Sequence, residues 1–323
     1  MKKIAVYTSG GDSPGMNAGI RAVVRTGIYL GLDVYGIIRG YDGMINGDII
    51  KMDTNSVANI IQRGGTILKS ARSERFFTYE GRKQAFEKLQ EFGIEGLVAI
   101  GGDGTFKGAE VFHNDFGVKV MGMPGTIDND LRGTDFTIGY DTAINTVVEA
   151  VDKLRDTADS HDRLFVVEVM GRDAGFIAMR SGIGVGAEAI LLPEAPTYFD
   201  QLIKVLDRGW RRKKLSSIII VAEGEESGGA FEVAKKLKEK FSYYDIRVTI
   251  LGHVQRGGSP TCMDRVLASR LGVASVEALM AGRTNEMVGI VDKKIQFTPF
   301  SEAVKHHDRL NGEMMRLVEI LSI

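Results

Sequence analysis

The chain has 323 residues, of which 41 are Lys or Arg and 42 are Asp or Glu, so its net charge is −1. This balance excludes a general electrostatic attraction to nucleic acid or to an anionic membrane, and any positive charge that binds phosphate has to be local. The length favours two domains of similar size. The single cysteine, Cys262, excludes a disulfide within one chain and fits a reducing cytoplasm. Because no run approaches the roughly 20 apolar residues of a membrane helix, we expect a cytoplasmic protein that binds neither membrane nor nucleic acid.

The first half of the chain alternates short apolar runs, glycine-rich turns and amphipathic stretches. Apolar runs of this length predict strands, and amphipathic stretches predict helices. The predicted strands cover residues 3–8, 34–38, 97–100 and 118–121, and the predicted helices cover 16–29, 81–92 and a short segment at 56–62 that breaks at Gly64 and Gly65.

The second half continues the alternation. Helices are predicted over residues 143–157, 199–214, 231–241, 265–280 and 302–321, and strands over 164–169, 189–192, 217–221 and 248–251, with a late strand pair within 287–297. Solid apolar strands that alternate with helices are typical of mostly parallel sheets covered on both faces, so the fold class is predicted to be α/β. Sheets of this kind bind ligands outside the carboxyl ends of their strands.

Two glycine-rich turns follow predicted strands. In SGGDSPG, residues 9–15, the glycines let backbone N–H groups approach a phosphate at a helix N-terminus, although a simple helix-capping turn is the alternative. In IGGDGT, residues 100–105, Gly102 and Gly104 leave room for a triphosphate, and Asp103 is a hard oxygen ligand suited to Mg²⁺. The alternative for Asp103 is a helix cap. No Walker A pattern is present, so the chain is not an ordinary P-loop protein.

A third segment, PGTIDNDLRGTD at residues 124–135, carries Asp128 and Asp130 two positions apart. On an extended segment both side chains face the same side. One carboxylate could take a proton from an attacking alcohol while the other helps to hold Mg²⁺. The alternative is a polar turn with Asx-type hydrogen bonds.

Basic residues stand at several predicted strand ends, where they could bind phosphate esters. They are Arg72, Arg163, Arg172, Arg247, His253 and Arg256. A single arginine is usually a surface residue, but His253 and Arg256 lie in a glycine-flanked strand end, HVQRGG. Glu223, after an apolar run, could bind sugar hydroxyls or act as a cap.

These segments, in this order, resemble the bacterial ATP-dependent 6-phosphofructokinase family over essentially the whole chain. The resemblance includes TSGGDSPGMNA, RGGT with SAR, IGGDGT, PGTIDND, VEVMGRDAG, VAEG and LGHVQRGGSP. It implies two three-layer αβα domains with mostly parallel sheets and an active site in the cleft between them. The expected domains are residues 1–138 with about 252–300 for ATP, and 139–251 with about 301–323 for the sugar phosphate. A homotetramer is implied as well.

The resemblance assigns roles to individual residues. Those that would bind MgATP are Gly11, Tyr41, Arg72, Gly102, Asp103, Gly104 and Thr105, with Asp103 at the metal. Asp128 would be the base that activates the sugar 1-hydroxyl, with Thr126 and Asp130 assisting, while Arg72 and Arg172 would stabilise the transferring phosphoryl group. Those that would hold fructose 6-phosphate are Met170, Gly171, Arg172, Glu223, His253 and Arg256, with Arg163 and Arg247 reaching in from a neighbouring subunit.

Relatives that use pyrophosphate carry bulkier residues where Gly104 and Gly125 stand, so both glycines favour ATP as the donor. An effector site for ADP or phosphoenolpyruvate is also implied, and its residues would be Arg21, Arg25, Arg155, Glu188, Arg212 and Lys214. Because Thr54 and Leu215 replace basic residues of some relatives, we expect a weak effector response. The segment from Ser73 to Phe76 also departs from the family pattern, on the nucleotide side.

Three alternatives stay open on the sequence. A pyrophosphate-dependent phosphofructokinase is the first. A kinase of another acceptor that shares GGDG, such as an NAD kinase or a lipid kinase, is the second, although such kinases lack PGTIDND together with HVQRGG. A nucleotide-binding regulatory subunit is the third, and it would be expected to have lost Asp128 or Arg172, both of which are present.

Overall fold

The protein is described here from a computed structural model. The structure describes residues 1–159, 163–211, 217–241, 245–305 and 312–321. The chain consists of two compact units. Unit 1 comprises Met1–Ile127, Leu131–Thr142 and Arg256–His306, and unit 2 comprises Asp128–Asp130, Ala143–Gln255 and His307–Ile323. The domain boundaries drawn from the sequence stay a prediction.

Unit 1 is built on a seven-stranded sheet with the strand order β11-β10-β5-β4-β1-β2-β3. The strands are β1 (Lys3–Thr8), β2 (Asp33–Ile37), β3 (Ile49–Met52), β4 (Gly96–Gly101), β5 (Lys119–Pro124), β10 (Glu286–Val291) and β11 (Lys294–Pro299). The inner strands pair in parallel, and the two edge strands, β3 and β11, pair antiparallel. The mostly parallel sheet predicted from the apolar runs is therefore confirmed.

Helices cover both faces of this sheet. They are α1 (Met16–Tyr29), α2 (Gly40–Asn46), α3 (Tyr79–Phe92), α4 (Asp103–Phe116) and α9 (Cys262–Met280), with a short 3-10 turn at Arg75–Phe77. Ile4 and Val6 of β1 point into a core shared with α1 and α9. Their neighbours Ala5 and Tyr7 point into a core shared with α2, α3 and α4. Alternate strand residues thus fill opposite cores, and each large apolar side chain buried in this way stabilises the fold by about 1.5–3 kcal/mol.

Unit 2 contains a four-stranded parallel sheet with the order β7-β8-β6-β9. Its strands are β6 (Arg163–Val169), β7 (Ala189–Leu191), β8 (Ser217–Ala222) and β9 (Asp245–Ile250). The remaining helices are α5 (Tyr140–Asp159), α6 (Phe176–Gly184), α7 (Phe199–Arg211), α8 (Ala230–Lys240) and α10 (Gly312–Leu321). Leu206 of α7 and Val233 of α8 pack on the apolar face of the sheet.

One predicted helix is wrong, and another is confirmed in part. Residues 56–62 form turns because the Asp53 carboxylate accepts the Ser56 N–H at 2.8 Å, and because Asn59 adopts a left-handed conformation with φ 55°. The predicted helix at 302–321 is confirmed over Gly312–Leu321, which is α10. Residues 302–305 are not helical, since the Glu302 and Ala303 N–H groups donate to the Pro299 carbonyl, and residues 306–311 lie outside the described residues. None of the described helices is long and apolar enough to cross a bilayer.

Candidate functional site

The carboxyl ends of three adjacent unit 1 strands bring together the predicted nucleotide residues. β1, β4 and β5 are neighbours and run parallel, so the segments SGGD, GGDG and PGT leave the sheet at the same edge. The Ser9 N–H donates to the Ile100 carbonyl at 3.0 Å, and the Gly125 N–H donates to the Gly101 carbonyl at 2.9 Å. The Thr105 hydroxyl donates to the Ser9 carbonyl at 3.2 Å. These bonds hold the three turns in register.

The N-terminus of α4 is the centre of this edge. The helix starts at Asp103, and its N-cap residue Gly102 contributes no side chain. A Cβ placed on Gly104 would meet no described atom within 4 Å, and one placed on Gly102 would meet only Thr126, at 3.7 Å. Backbone N–H groups and the helix dipole favour an anion here, and the absence of side chains leaves space for one.

Asp103 lies in this space with its side chain 13% exposed. Its Oδ1 atom is buried and has no hydrogen-bond partner among the described residues. Its Oδ2 atom accepts from Lys107 Nζ at 2.8 Å. A buried carboxylate oxygen without a partner fits a divalent cation, which prefers oxygen ligands. No cluster of three His, Cys, Asp or Glu that could hold a metal occurs in the described part of the chain.

Tyr41 is close to this cradle but is buried. Its hydroxyl donates to the Thr105 carbonyl at 2.6 Å and accepts from the Tyr7 hydroxyl at 3.0 Å. Its ring stacks on Phe76, with the ring centroids 3.9 Å apart. Burial raises the pKa of both tyrosines well above the ordinary range. The Tyr41 hydroxyl therefore holds the backbone of the first turn of α4. The sequence did not suggest this role.

The SGGD turn meets Arg256. A Cβ on Gly11 would lie 2.4 Å from Arg256 Nη1, so the glycine permits the guanidinium to lie over the turn. Arg256 Nη1 donates to the Asp12 carbonyl at 3.4 Å. This contact places positive charge beside the turn, where a phosphate could share it. Arg72, by contrast, is exposed on the segment that follows β3.

The loop that carries the paired aspartates is closed at its base. Gly125 and Ile138 form a bridge, and the Thr137 hydroxyl donates to the Thr126 carbonyl at 2.6 Å. A Cβ on Gly125 would lie 2.9 Å from Ile100 Cγ2 and 3.1 Å from Met16 Cε. A side chain at position 125 would therefore press on two core side chains of this chain. The structural argument for room at the donor rests on Gly104, where a Cβ meets no described atom within 4 Å.

Asp128 and Arg172 form the central pair of unit 2. Asp128 is 4% exposed, and its Oδ2 atom lies 3.7 Å from Arg172 Nε. Arg172 has a left-handed backbone with φ 53°, and its N–H donates to Glu223 Oε1 at 2.8 Å. Such a conformation costs an arginine about 1–2 kcal/mol and persists because neighbouring contacts fix it. Asp130 is buried too.

Close backbone contacts hold the turns around Arg172. A Cβ on Gly171, which has φ 146°, would lie 2.3 Å from the Ala174 carbonyl, and one on Gly224 would lie 2.0 Å from the Arg172 carbonyl. The Met170 side chain is buried, and its N–H donates to Oε1 of the fully buried Gln255 at 3.3 Å. Gln255 ties the exposed His253 turn to β6, and sequence reasoning missed it because a glutamine in HVQRGG carries no chemical signal of its own.

Arg163 and Arg247 share one acceptor. Arg163 on β6 and Arg247 on the neighbouring strand β9 both contact the Asp245 carboxylate, with Nε–oxygen distances of 3.0 Å each. The Arg163 hydrogen bond is the main reason why the pKa of Asp245 lies below its ordinary value. The two arginines predicted to serve a neighbouring subunit thus form a single cationic patch.

The predicted effector residues are dispersed over both units. Arg21 and Arg25 lie on α1 of unit 1. In unit 2, Arg155 donates to the Val185 carbonyl at 2.5 Å, and the buried Glu188 accepts from the Ile218 N–H. Arg212, Lys214 and Leu215 lie outside the described residues.

A family model described as phosphofructokinase matches residues 3–279 of this chain. The chain belongs to the phosphofructokinase family. The resemblance inferred from the motifs is therefore confirmed. It favours a phosphofructokinase over other kinases that share GGDG.

Curated phosphofructokinases match the chain over its whole length. A protein of Cytophaga hutchinsonii named ATP-dependent 6-phosphofructokinase is 59% identical and covers 100% of this chain and 98% of its own. One of Thermus thermophilus, named ATP-dependent 6-phosphofructokinase 1, is 55% identical and covers both chains completely. Among solved structures, the phosphofructokinase from Saccharomyces cerevisiae has a TM-score of 0.90 and 39% identity over all of this chain. This chain spans about half, 48%, of that longer yeast chain.

Proposed function

We propose that this chain is an ATP-dependent 6-phosphofructokinase of glycolysis. It transfers the γ-phosphate of MgATP to the 1-hydroxyl of fructose 6-phosphate and releases ADP and fructose 1,6-bisphosphate. The observation that carries this proposal is the full-length identity, 59% and 55%, to relatives that bear this name. The open N-terminus of α4 and the Asp128–Arg172 pair support it chemically.

In this proposal the donor binds the unit 1 residues. The triphosphate lies against Gly11, Gly102, Gly104 and the first turn of α4, where N–H groups face it. Asp103 is the residue that would hold Mg²⁺, which when bound screens the charge of the phosphates. Thr105 and Tyr41 keep the first turn of α4 fixed.

The acceptor is proposed to bind through Asp128 and its neighbours. Asp128 removes the proton from the sugar 1-hydroxyl as that oxygen attacks the γ-phosphorus, and the bond from the γ-phosphorus to the bridging oxygen of ADP breaks. Arg72 and Arg172 stabilise the charge on the phosphoryl group in transit. Thr126 and Asp130 orient the reacting groups. The remaining substrate residues are proposed to be Met170, Gly171, Glu223, His253 and Arg256, with Arg163 and Arg247 acting from a neighbouring subunit of a homotetramer.

Regulation and location are part of the same proposal. We place an ADP or phosphoenolpyruvate site at Arg21, Arg25, Arg155 and Glu188, together with Arg212 and Lys214, and we place the enzyme in the cytoplasm. Thr54 stands exposed after β3, where it brings no positive charge. A weak shift of the fructose 6-phosphate saturation curve is the expected response to either effector, and an unchanged curve would remove regulation from the proposal.

The test is a coupled assay for fructose 1,6-bisphosphate, with fructose 6-phosphate, Mg²⁺ and either ATP or pyrophosphate. Turnover with ATP alone is expected. Turnover with pyrophosphate alone would overturn the donor, and no turnover with either donor would overturn the reaction.

Gly104 provides a matched test of the donor. A Cβ at this position meets no described atom within 4 Å, and an aspartate places a negative charge where the triphosphate is proposed to lie. Gly104→Asp should raise the KM for ATP at least about tenfold, since like charges at short range repel strongly. Gly104→Ala occupies part of the same space without the charge and should change the KM much less. If the KM for ATP is the same in the wild type and in both variants, the nucleotide does not bind beside Gly104.

A further inference from the structure

Lys107 is the residue that contacts Asp103, one helical turn further along α4. Lys107 Nζ lies 2.8 Å from Asp103 Oδ2, and the lysine side chain is 63% exposed. The other carboxylate oxygen, Oδ1, is buried without a described partner. Oδ2 is therefore paired with a largely exposed lysine, while Oδ1 is available to a further ligand.

The position of this ion pair creates an electrostatic conflict. The α4 N-terminus favours an anion, but Asp103 places a negative charge in the same space. A triphosphate without a metal would be repelled by that carboxylate unless a cation neutralises it. The ammonium group of Lys107 is in direct contact with the carboxylate. The flexible four-carbon stem of the lysine lets this group move.

We propose that Lys107 is a positioning residue that sets how strongly nucleotide binding depends on the divalent cation. Without the cation, Lys107 neutralises Asp103 and so permits a metal-free triphosphate to bind. When the cation occupies Asp103, the two positive charges repel, and Lys107 leaves the carboxylate for the phosphates nearby. The inference rests on the proposed function, because it needs the nucleotide to bind at α4.

A purely structural role is the alternative, since Asp–Lys pairs four residues apart stabilise many helices modestly. The chain offers a matched pair for comparison. Lys153 Nζ lies 2.6 Å from Glu149 Oε1 on α5 with the same spacing and the same order of charges, and both side chains are largely exposed. Removing Lys153 tests the loss of a helical ion pair away from the cradle.

The experiment measures the Kd of a non-hydrolysable ATP analogue by calorimetry, once with Mg²⁺ and once with EDTA. The readout is the ratio of the metal-free Kd to the Mg²⁺ Kd. Lys107→Met should raise this ratio about fivefold, the scale of one exposed charge pair, because the metal-free Kd rises more than the Mg²⁺ Kd. Lys153→Met should leave the ratio at the wild-type value.

A double mutant locates the effect at Asp103. In the Asp103→Asn background the carboxylate charge is gone, so adding Lys107→Met should no longer raise the ratio. An unchanged ratio in Lys107→Met, or the same rise in Lys153→Met, would overturn the role of Lys107 and leave the proposed function intact. Failure of the wild-type protein to bind the analogue under either condition would overturn both.

Discussion

Asp128 combines the two properties that its proposed role requires. It is buried at 4% exposure, so its orientation is fixed, and it lies 3.7 Å from the guanidinium of Arg172, which balances its charge. Arg172 in turn is fixed by its left-handed backbone and by Glu223. Glu223 thus holds the backbone of Arg172, and the guanidinium of Arg172 reaches the Asp128 carboxylate.

Replacing Asp128 by asparagine should isolate the proton transfer. Asparagine keeps the shape of the side chain but cannot take a proton at neutral pH, so kcat should fall about 10²- to 10⁴-fold. The Kd values of ATP and fructose 6-phosphate, measured by equilibrium binding, should change only a few-fold. Asp130→Asn is the matched comparison and should lose less turnover, since Asp130 is proposed to orient. A kcat within about tenfold of wild type in Asp128→Asn would assign the base to another group.

At the scale of elements, one buried carboxylate joins α9 and the start of α5 to the end of the loop that carries Asp128 and Asp130. Asp264, near the start of α9, is 1% exposed. Its Oδ1 atom accepts the Gly139 N–H at 2.8 Å, and its Oδ2 atom accepts the Thr142 N–H at 2.8 Å and the Thr142 hydroxyl at 2.5 Å. Gly139 and Thr142 lead from the loop into α5. Gly139 and Thr142 are thus held by α9, which is more than 100 residues away in sequence.

Asp264 should also make stability depend on pH. Burial raises its pKa above the ordinary value of 3.8, although hydrogen bonds from Thr142 and Gly139 act in the opposite direction. A raised pKa means that the native state binds more protons than the unfolded state between the two values, so this contribution falls as pH rises through that window. The stability difference between wild type and Asp264→Asn, from denaturation at fixed protein concentration, should therefore grow as pH is lowered through it.

The variant itself should be less stable by about 2–3 kcal/mol at neutral pH. Asparagine replaces one of the two accepting oxygens by an NH₂ group, which cannot accept a hydrogen bond from the N–H donor that it faces. Asp141→Asn is the control. Asp141, next to Thr142, is half-buried and accepts a hydrogen bond from the Thr261 hydroxyl at 2.7 Å. Replacing it should lower the stability of the protein by less than replacing Asp264. A stability difference that shrinks at lower pH would contradict the direction given for the pKa of Asp264.

Elements with a strong repeating pattern were predictable from the sequence, and those fixed by distant contacts were not. β1 and α1 were predicted with their observed bounds because an apolar run and an amphipathic stretch stand between clear glycine turns. The four-residue edge strand β3 was missed, since its residues are exposed at two of four positions. In the candidate site, the family motifs predicted Asp103, Asp128 and Arg172 as functional residues. Their contacts were not predictable, because partners such as Glu223 for Arg172 are distant in sequence and meet only in the folded chain.

At the scale of the whole molecule, the cationic patch on β6 and β9 bears on assembly. Arg163 and Arg247 share Asp245, and the Arg247 side chain is 56% exposed against 23% for Arg163. Arg247 therefore has the greater freedom to meet a phosphate on another molecule. If it serves a neighbouring subunit, as proposed, Asp128 and Arg247 of one active site come from different chains.

Hybrid oligomers test this arrangement. Asp128→Asn and Arg247→Ala should each be nearly inactive, while co-expression under two affinity tags should restore activity. About a quarter of the sites in random hybrids would combine an intact Asp128 with an intact Arg247. Co-expression of Asp128→Asn with the double variant Asp128→Asn/Arg247→Ala should restore nothing. Hybrids without restored turnover, measured after two-tag purification, would place Arg247 in the site of its own chain.

The interrupted course of unit 1 has a consequence for synthesis on the ribosome. The strands of unit 2 lie within residues 163–250 and leave the ribosome as one uninterrupted stretch. Unit 1 begins at residue 1, yet its strands β10 and β11 and its helix α9 are made last. Until they emerge, β5 is an open edge, and the apolar face of α1 lacks the helix that covers it in the native protein. The early strands of unit 1 are therefore among the last to reach a complete core, and during that interval the exposed edge of β5 can pair wrongly with other chains.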